Sequence, residues 1–309
     1  MSMTRLEVFC NLDYRKDPFK VSRPFETGDT RRTKRILTMA VESRAMVSIV
    51  GDRGIGKSDA VNAALEKIGV KKITVEKAQK ERVGIADIQK AMLLDLGEKP
   101  PKDGEIMSRK LRQVIGEACA KSKRPIVVLI EEAQRLHGNT LRSLKSLREM
   151  EWCGQKELFS VVMVAQSDPM NRAGVSEVKL RTDTIRMQGM TPEEAVAYVT
   201  ATIGRHFEEK ALEALGDVHQ AANYLELQEL CIQLLNKALL AGREQVTLAD
   251  VKELTSSSQM QELPKTTRKQ TPDKVAPASL KDFMATRKSR ANDPEPDPVL
   301  SGVEGAAAC

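Results

Sequence analysis

The stretch VSIVGDRGIGKSDAVNAAL, Val47 to Leu65, constrains the fold more than any other part of the chain. A short apolar run enters a glycine-rich turn, the turn ends in Gly-Lys-Ser, and a helical pattern follows. Gly51-Asp52-Arg53-Gly54-Ile55-Gly56-Lys57-Ser58 satisfies G-x-x-x-x-G-K-[ST] at every fixed position. That spacing serves phosphate chemistry. The glycines let backbone N–H groups turn toward phosphate oxygens, Lys57 reaches the β and γ phosphates, and the Ser58 hydroxyl ligates magnesium. A chance glycine turn has no reason to leave a strand and open a helix, as this one does by its pattern. ATP and Mg2+ are the cofactors this loop leads us to expect.

Around the loop, strand-like runs alternate with helical patterns. Met46–Val50, Lys72–Val75, Ile126–Ile130, Phe159–Ala165 and Thr184–Met187 read as strands. Lys57–Ile68, Ile85–Leu96, Ser108–Lys121 and Asn139–Glu151 read as the helices between them. Such alternation predicts an α/β fold with a mostly parallel sheet flanked by helices. At Thr191-Pro192-Glu193-Glu194 the pattern changes: an N-cap hydroxyl, a proline in the first position and acids in the first turn start a helix, and only helical patterns follow. The expected organisation is a lead-in over residues 1–45, a P-loop core over 46–190, a small all-α lid over 191–254 and a tail over 255–309.

Composition narrows the class. Only 3% of residues are aromatic and 30% are charged, which suits a helix-rich soluble chain better than a β-sandwich. No apolar run is long enough to span a bilayer, and MSMTRLEVFCNLDYRKDPFK lacks a signal-peptide core, so no membrane partner and a cytoplasmic location are expected (a host cytoplasm if the gene is phage-borne). Cys10, Cys119, Cys153, Cys231 and Cys309 are scattered without C-x-x-C spacing, the usage of reduced thiols. In the tail, Lys265 to Arg290 carries eight bases and two acids, while Ala291 to Cys309 carries four acids and no base. Both are poor in aliphatic residues, and a disordered tail, basic and then acidic, is expected there.

Three further features carry chemistry. In RPIVVLIEEAQRL, a buried-type strand delivers Glu131 and Glu132 at its end. In P-loop nucleotide hydrolysis the first carboxylate of such a pair acts on the magnesium shell and the second polarises the attacking water. The commoner pair is Asp-Glu, so Glu131 is one methylene longer. In SVVMVAQSDP a second buried strand ends at Gln166, a residue type able to orient water. In EVKLRTDTIRM, Arg181 precedes the last strand, where an arginine can reach a neighbouring subunit's site; Arg172 and Arg186 are rivals for that role.

A P-loop, a two-carboxylate strand, a polar-tipped strand, an arginine and a helical lid, in that order over roughly residues 20 to 254, resemble an AAA+ ATPase. RPFETGDTRRTKRILTMAVESRAMVSIVGDRGIGKS, the exit LIEEAQRL and the short path from VMVAQ to the lid are similar to the group that contains the B protein of phage Mu, TnsC and the ExeA-like ATPases. The resemblance implies an ATPase, DNA-stimulated, that forms a homo-oligomeric filament or ring on double-stranded DNA without sequence preference, delivers the DNA to a DDE-type transposase and stimulates it. It also implies catalytic roles for Glu132, Gln166 and Arg181. Two departures stand out. Some forty-five residues precede the P-loop strand, too few for the helix-turn-helix domain of the Mu protein. Asn223 and Tyr224 stand where many AAA+ lids carry a nucleotide-contacting arginine, which points to weak sensing by the lid.

Filament-forming relatives place DNA-binding cations between the P-loop helix and the two-carboxylate strand, which here gives Lys77, Lys80 and Arg82. A second set is Arg142, Lys145 and Arg148, repeating every third residue of one helical pattern. Neither set is interleaved with aromatics, so phosphate contact rather than base readout is expected. The tail offers a basic DNA arm, or an apolar face of Leu280, Phe283 and Met284 for the transposase. Two other ATPase roles compete: an ExeA-like driver of a protein assembly, and a replication-type initiator or loader.

Overall fold

The computed structural model describes residues 3–20, 25–75, 83–121 and 124–259. Its centre is a parallel sheet of β1 (Met46–Val50), β2 (Lys71–Val75), β3 (Ile126–Ile130), β6 (Ser160–Ala165) and β7 (Thr182–Arg186), ordered β2-β3-β6-β1-β7. Every residue of β1, β3 and β6 is buried, as a sheet covered on both faces requires. Strand periodicity sorts the side chains. Val127 and Leu129 face one layer with Val47, Ile49, Val162 and Val164, where α2 (Gly28–Glu42) and α3 (Lys57–Ile68) pack. Val128 and Ile130 face the other with Ile73, Val161 and Met163, covered by α4 (Ile85–Asp95), α5 (Gly104–Lys121) and α6 (Gly138–Arg148).

The expected strands and helices are present, with shifted ends. The sixth helix stops at Arg148 rather than Glu151 because the chain turns into a two-residue hairpin, β4 (Glu151–Trp152) and β5 (Gln155–Lys156). Cys153 and Gly154 both take positive φ at its turn, the twist a two-residue hairpin loop favours. The four-residue α7 (Ser176–Lys179) then leads into β7.

The lid consists of α8 (Pro192–Ile203), α9 (Glu209–Gly216), α10 (Tyr224–Leu240) and α11 (Leu248–Gln259). Thr191 caps α8 through a capping box with Glu194, as the sequence predicts. The tail boundary moves: α11 continues through Thr255 and Ser256, whose hydroxyls donate to the carbonyls of Val251 and Lys252 one turn back. The basic and acidic tail segments from 260 on lie outside the described residues.

The lead-in is divided between the two parts. Helix α1 (Arg5–Asn11), opened by a capping box from Thr4 to Glu7, buries Val8 and Phe9, with Leu12 at its C-cap, among lid residues Val199, Leu227 and Leu234. Helix α2 buries Leu37, Ala40 and Val41 against the sheet. Arg5 holds the turn after α1 by donating to both Asp17 carboxylate oxygens, at 2.9 and 3.2 Å. Because Phe9 is 2% exposed, Phe9→Ala should cost about 3 kcal/mol of stability, measured by urea unfolding. A loss below about 0.5 kcal/mol, the scale of a surface substitution, would show that α1 is a dispensable strap.

Candidate nucleotide site

The P-loop joins β1 to α3, and its backbone explains its glycines. Gly56 is the N-cap of α3 with φ +81°, and Gly54 has φ +92°, a region that L residues with a Cβ rarely enter. Ile55 is buried and anchors the loop, while Gly51, Asp52, Arg53, Gly54 and Gly56 turn through it. Lys57 is 8% exposed, and its Nζ donates to the Asp52 carbonyl at 2.6 Å. Burial holds its pKa below the usual lysine range, opposed by Asp52, Glu132 and Glu131. An ammonium held by one loop carbonyl, at a helix N-terminus beside two carboxylates, is placed to meet phosphate oxygens.

Glu131 and Glu132 line the same cleft as the P-loop. Ser58 Oγ donates to Glu131 Oε2 at 2.8 Å, so the hydroxyl and the first carboxylate share one point at the α3 N-terminus. Hard oxygen donors of this kind suit Mg2+, which takes one or two protein oxygens and completes its shell with phosphates and water. Among the described residues no cluster of three or more His, Cys, Asp or Glu side chains is placed to hold a metal ion. Ser58 and Glu131 would hold the Mg2+. Glu132 follows with φ +54°, a strained setting for a residue with a long side chain. The strained turn aims its carboxylate toward Gln134, whose Nε2 donates to Glu132 Oε2 at 2.8 Å, and Arg135 approaches it at 3.8 Å.

Gln166 enters the site at the tip of β6, between the P-loop strand and the two-carboxylate strand. Its backbone N–H donates to Gln134 Oε1 at 3.1 Å, so Gln134 bridges the Glu132 carboxylate and the Gln166 main chain. Sequence reasoning missed Gln134; its only signal is its place two residues beyond the second carboxylate. Arg172 donates to the carbonyls of Gln134 and Leu136 and braces this turn from behind. Arg186 pairs with Asp168 at 3.1 Å. Arg181 is exposed, does not line the cleft of its own chain, and pairs with Glu149.

The lid forms the other wall of a cleft of about 1250 Å3. Asn223 caps α10 by accepting from Leu225 and Glu226 N–H, while its Nδ2 donates to the Arg53 carbonyl at 2.7 Å. A Cβ at Gly54 would stand 2.3 Å from Asn223 Oδ1, and one at Gly56 would stand 3.1 Å from the Tyr224 ring. The residues found in place of a lid arginine therefore rest on the P-loop itself. Tyr224 meets Tyr198 edge-on at 5.1 Å, and Phe19 and Phe25 pack on Tyr198, giving the cleft an apolar end. Burial pushes the Tyr198 and Tyr224 hydroxyls up to about 12, so both stay neutral, and Tyr198 accepts from Gln228 Nε2 at 2.8 Å.

The proposed DNA-contact residues divide. Lys77, Lys80 and Arg82 lie outside the described residues. Arg142 donates to Asn139 and to the Gly174 carbonyl, Lys145 pairs with Glu177, and Arg148 pairs with Glu157 at 2.8 Å while donating to the Arg44 carbonyl at 3.0 Å. These three cations are engaged within the fold; the side chain of Arg148 is only 11% exposed.

Residues 40–171 match the family described as an AAA domain. Solved structures share the fold. Cdc6p from Pyrobaculum aerophilum matches with a TM-score of 0.57 at 14% identity over 79% of this chain and 71% of that one. The ORC2 protein of Aeropyrum pernix matches with a TM-score of 0.56 at 14% identity over 80% and 72%. Drosophila ORC bound to DNA matches with a TM-score of 0.55 at 16% identity over 79% and 64%. No curated protein matches the sequence. The fold is the P-loop AAA+ fold, with its parallel five-stranded sheet flanked by helices.

Glu132→Gln keeps the shape of the turn and removes the carboxylate charge. It should retain ATP binding and slow phosphate release at least about 100-fold, the scale of a general base. Wild-type turnover in that variant would remove Glu132 from the chemistry. Asn223→Asp keeps the helix cap but replaces the donor to Arg53 with a negative charge beside the phosphate site. ATP affinity should fall about tenfold with little change in thermal midpoint. An unchanged affinity would make the lid contact purely structural.

Proposed function

We propose that this protein is a cytoplasmic ATP-hydrolysing switch that assembles on duplex DNA and delivers it to a DDE-type transposase. The observation that carries the ATPase half is the Ser58–Glu131 hydrogen bond with Glu132 beside it, since it gathers the metal-binding and water-activating groups at one helix end. In this reading Lys57 turns from the Asp52 carbonyl to the phosphates, and Glu132 takes up the water's proton. Gln134 fixes the Glu132 carboxylate and the Gln166 backbone relative to each other, so the water is oriented between them. Mg2+, held by Ser58 and Glu131, would neutralise charge that develops on the transferred phosphoryl group. Arg181 exchanges Glu149 for the γ-phosphate of a neighbouring protomer, which makes hydrolysis depend on assembly.

The DNA and transposase half rests on the resemblance to the Mu B and TnsC group, with sequence-independent phosphate contact as the binding mode. A second reading, an initiator or loader of replication, draws on the printed identities of the fold neighbours, one of which is an ORC bound to DNA. The two diverge in what DNA they accept. Sedimentation on random duplex with ATP, ADP and no nucleotide should give ATP-dependent complexes that Lys57→Ala abolishes. The same complexes should raise strand transfer by a cognate transposase. Binding confined to one sequence would favour the initiator. Nucleotide binding without any DNA association at low salt would move the function to an ExeA-like driver of protein assembly.

A further inference from the structure

The basic helix α2 was not among the residues expected to meet DNA, yet four of the five residues from Arg31 to Arg35 are cationic. Within one and a half turns it holds Arg31, Arg32, Lys34 and Arg35. Arg31, Arg32 and Arg35 are exposed. Arg31 comes no nearer than 3.9 Å to a carboxylate, that of Glu194. Among the described residues, Arg32, Lys34 and Arg35 make no ion pair. At the end of α3, the exposed Lys67 ammonium stands beside that of Lys34. Contact with that second ammonium holds the Lys34 pKa below the usual lysine range, and the Glu26 carboxylate offsets it only in part. Two ammonium groups in contact repel unless an anion stands with them.

The ATP triphosphate does not supply that anion. Arg31, Lys34 and Lys67 line the far end of the cleft that the P-loop opens, but Lys67 lies ten residues along α3 from Lys57, about 15 Å of helix rise and about two Debye lengths from the P-loop at physiological salt. Nor does α2 present the chemistry of a membrane-surface helix. Its apolar stripe of Leu37, Ala40 and Val41 is buried against the sheet, and the single exposed Met39 makes no continuous apolar face to insert in lipid. The cationic face also carries no aromatic side chain on which an unpaired base can stack, unlike single-strand grooves. What fits is a dense row of phosphates read by charge alone, the surface of duplex DNA.

We infer that the N-terminal half of α2, together with Lys67, is a contact surface for the phosphate backbone of double-stranded DNA. The inference rests on the DNA-binding reading above and gives it an address. The Arg142, Lys145 and Arg148 set differs in kind, because its cations already satisfy carbonyls and carboxylates of the fold.

The test is the salt dependence of ATP-state binding to random duplex, measured by fluorescence anisotropy on the full chain. Lys34→Gln/Arg35→Gln/Lys67→Gln leaves helix propensity nearly unchanged. It should make the slope of log affinity against log salt shallower by about three, close to one per cation removed. Its affinity for ATP and its thermal midpoint should match wild type. Arg142→Gln/Lys145→Gln should change the slope by less than about one. If wild type binds duplex and the triple variant keeps its slope, the placement is wrong while the DNA reading stands. If the triple variant instead loses ATP affinity in the same proportion, the cluster belongs to the nucleotide and the inference falls. If wild type fails to bind duplex at about 50 mM salt in any nucleotide state, the DNA reading and this surface fall together.

Discussion

The hydrogen bond from Ser58 to Glu131 depends on the order of strands, and most of the site depends on it. The two residues leave β1 and β3, which are not neighbours; β6 lies between them. The helix that follows β1 therefore has to bring its first turn across the tip of β6 before hydroxyl and carboxylate meet at 2.8 Å. That crossing puts Gln166, the last polar residue off β6, in the gap by topology alone. It also leaves Glu131 a wider span than adjacent strands would give. The extra methylene of Glu over Asp is no obstacle here, since its carboxylate reaches the Ser58 hydroxyl directly. Strain is concentrated one residue later, in the left-handed Glu132, where Gln134 and the Arg172-braced turn hold it.

The lid is bound to this arrangement more firmly than a missing arginine suggests. An arginine at that position would contact nucleotide from a distance; Asn223 bonds the loop that holds it. Its carboxamide divides its work, the oxygen capping α10 and the nitrogen gripping the Arg53 carbonyl. Gly54 is then required twice over, for its positive φ and because a side chain there would collide with Asn223. The few aromatic residues gather at the same junction. Phe9, Tyr14 and Phe19 of the lead-in and Tyr198 and Tyr224 of the lid form one run of ring contacts, reaching from α1 to the edge of the P-loop. A chain with 3% aromatics has placed all the ring contacts of its described residues where lead-in, lid and nucleotide cleft meet, and none in the sheet.

Much of the core was legible because its signals are local. Residues Met46–Val50 and Ile126–Ile130 are apolar runs with turn residues at both ends, and the loop after the first has a spacing that only one backbone path satisfies. The lid start at Thr191 was legible for the same reason, since capping chemistry is written in four consecutive residues. What was not legible depends on partners far away in sequence. Nothing near Phe9 indicates that it will pack on Leu227, and nothing near Gln134 indicates that β6 will bring the Gln166 backbone to it. The Arg142, Lys145 and Arg148 pattern misleads for a related reason. Spacing identifies a face of a helix but not the acids opposite it, and Glu157 and Glu177 arrive from other elements.

Helix α2 is the place where nucleotide state and a charged surface can be coupled mechanically. Its body packs along α3, which carries Lys57 and Ser58 at one end and Lys67 at the other. Its first turn is tied to the lid side of the molecule. The Gly28 N–H donates to Glu194 of α8 at 2.6 Å, and the Asp29 carboxylate accepts from the N–H groups of Gln188 and Gly189 at 2.6 and 2.9 Å, in the segment that joins β7 to the lid. Gly189 has no room for a side chain, since the Ala222 carbonyl of the lid lies against it. A rotation of the lid that breaks the Asn223–Arg53 bond acts on this same segment, and so on Asp29 and the start of α2. The P-loop and the α2 cations Arg31 and Lys34 line one cleft and are joined by short hydrogen bonds and one rigid helix. That is a route by which occupancy of one site can alter the presentation of the other without any unfolding between them.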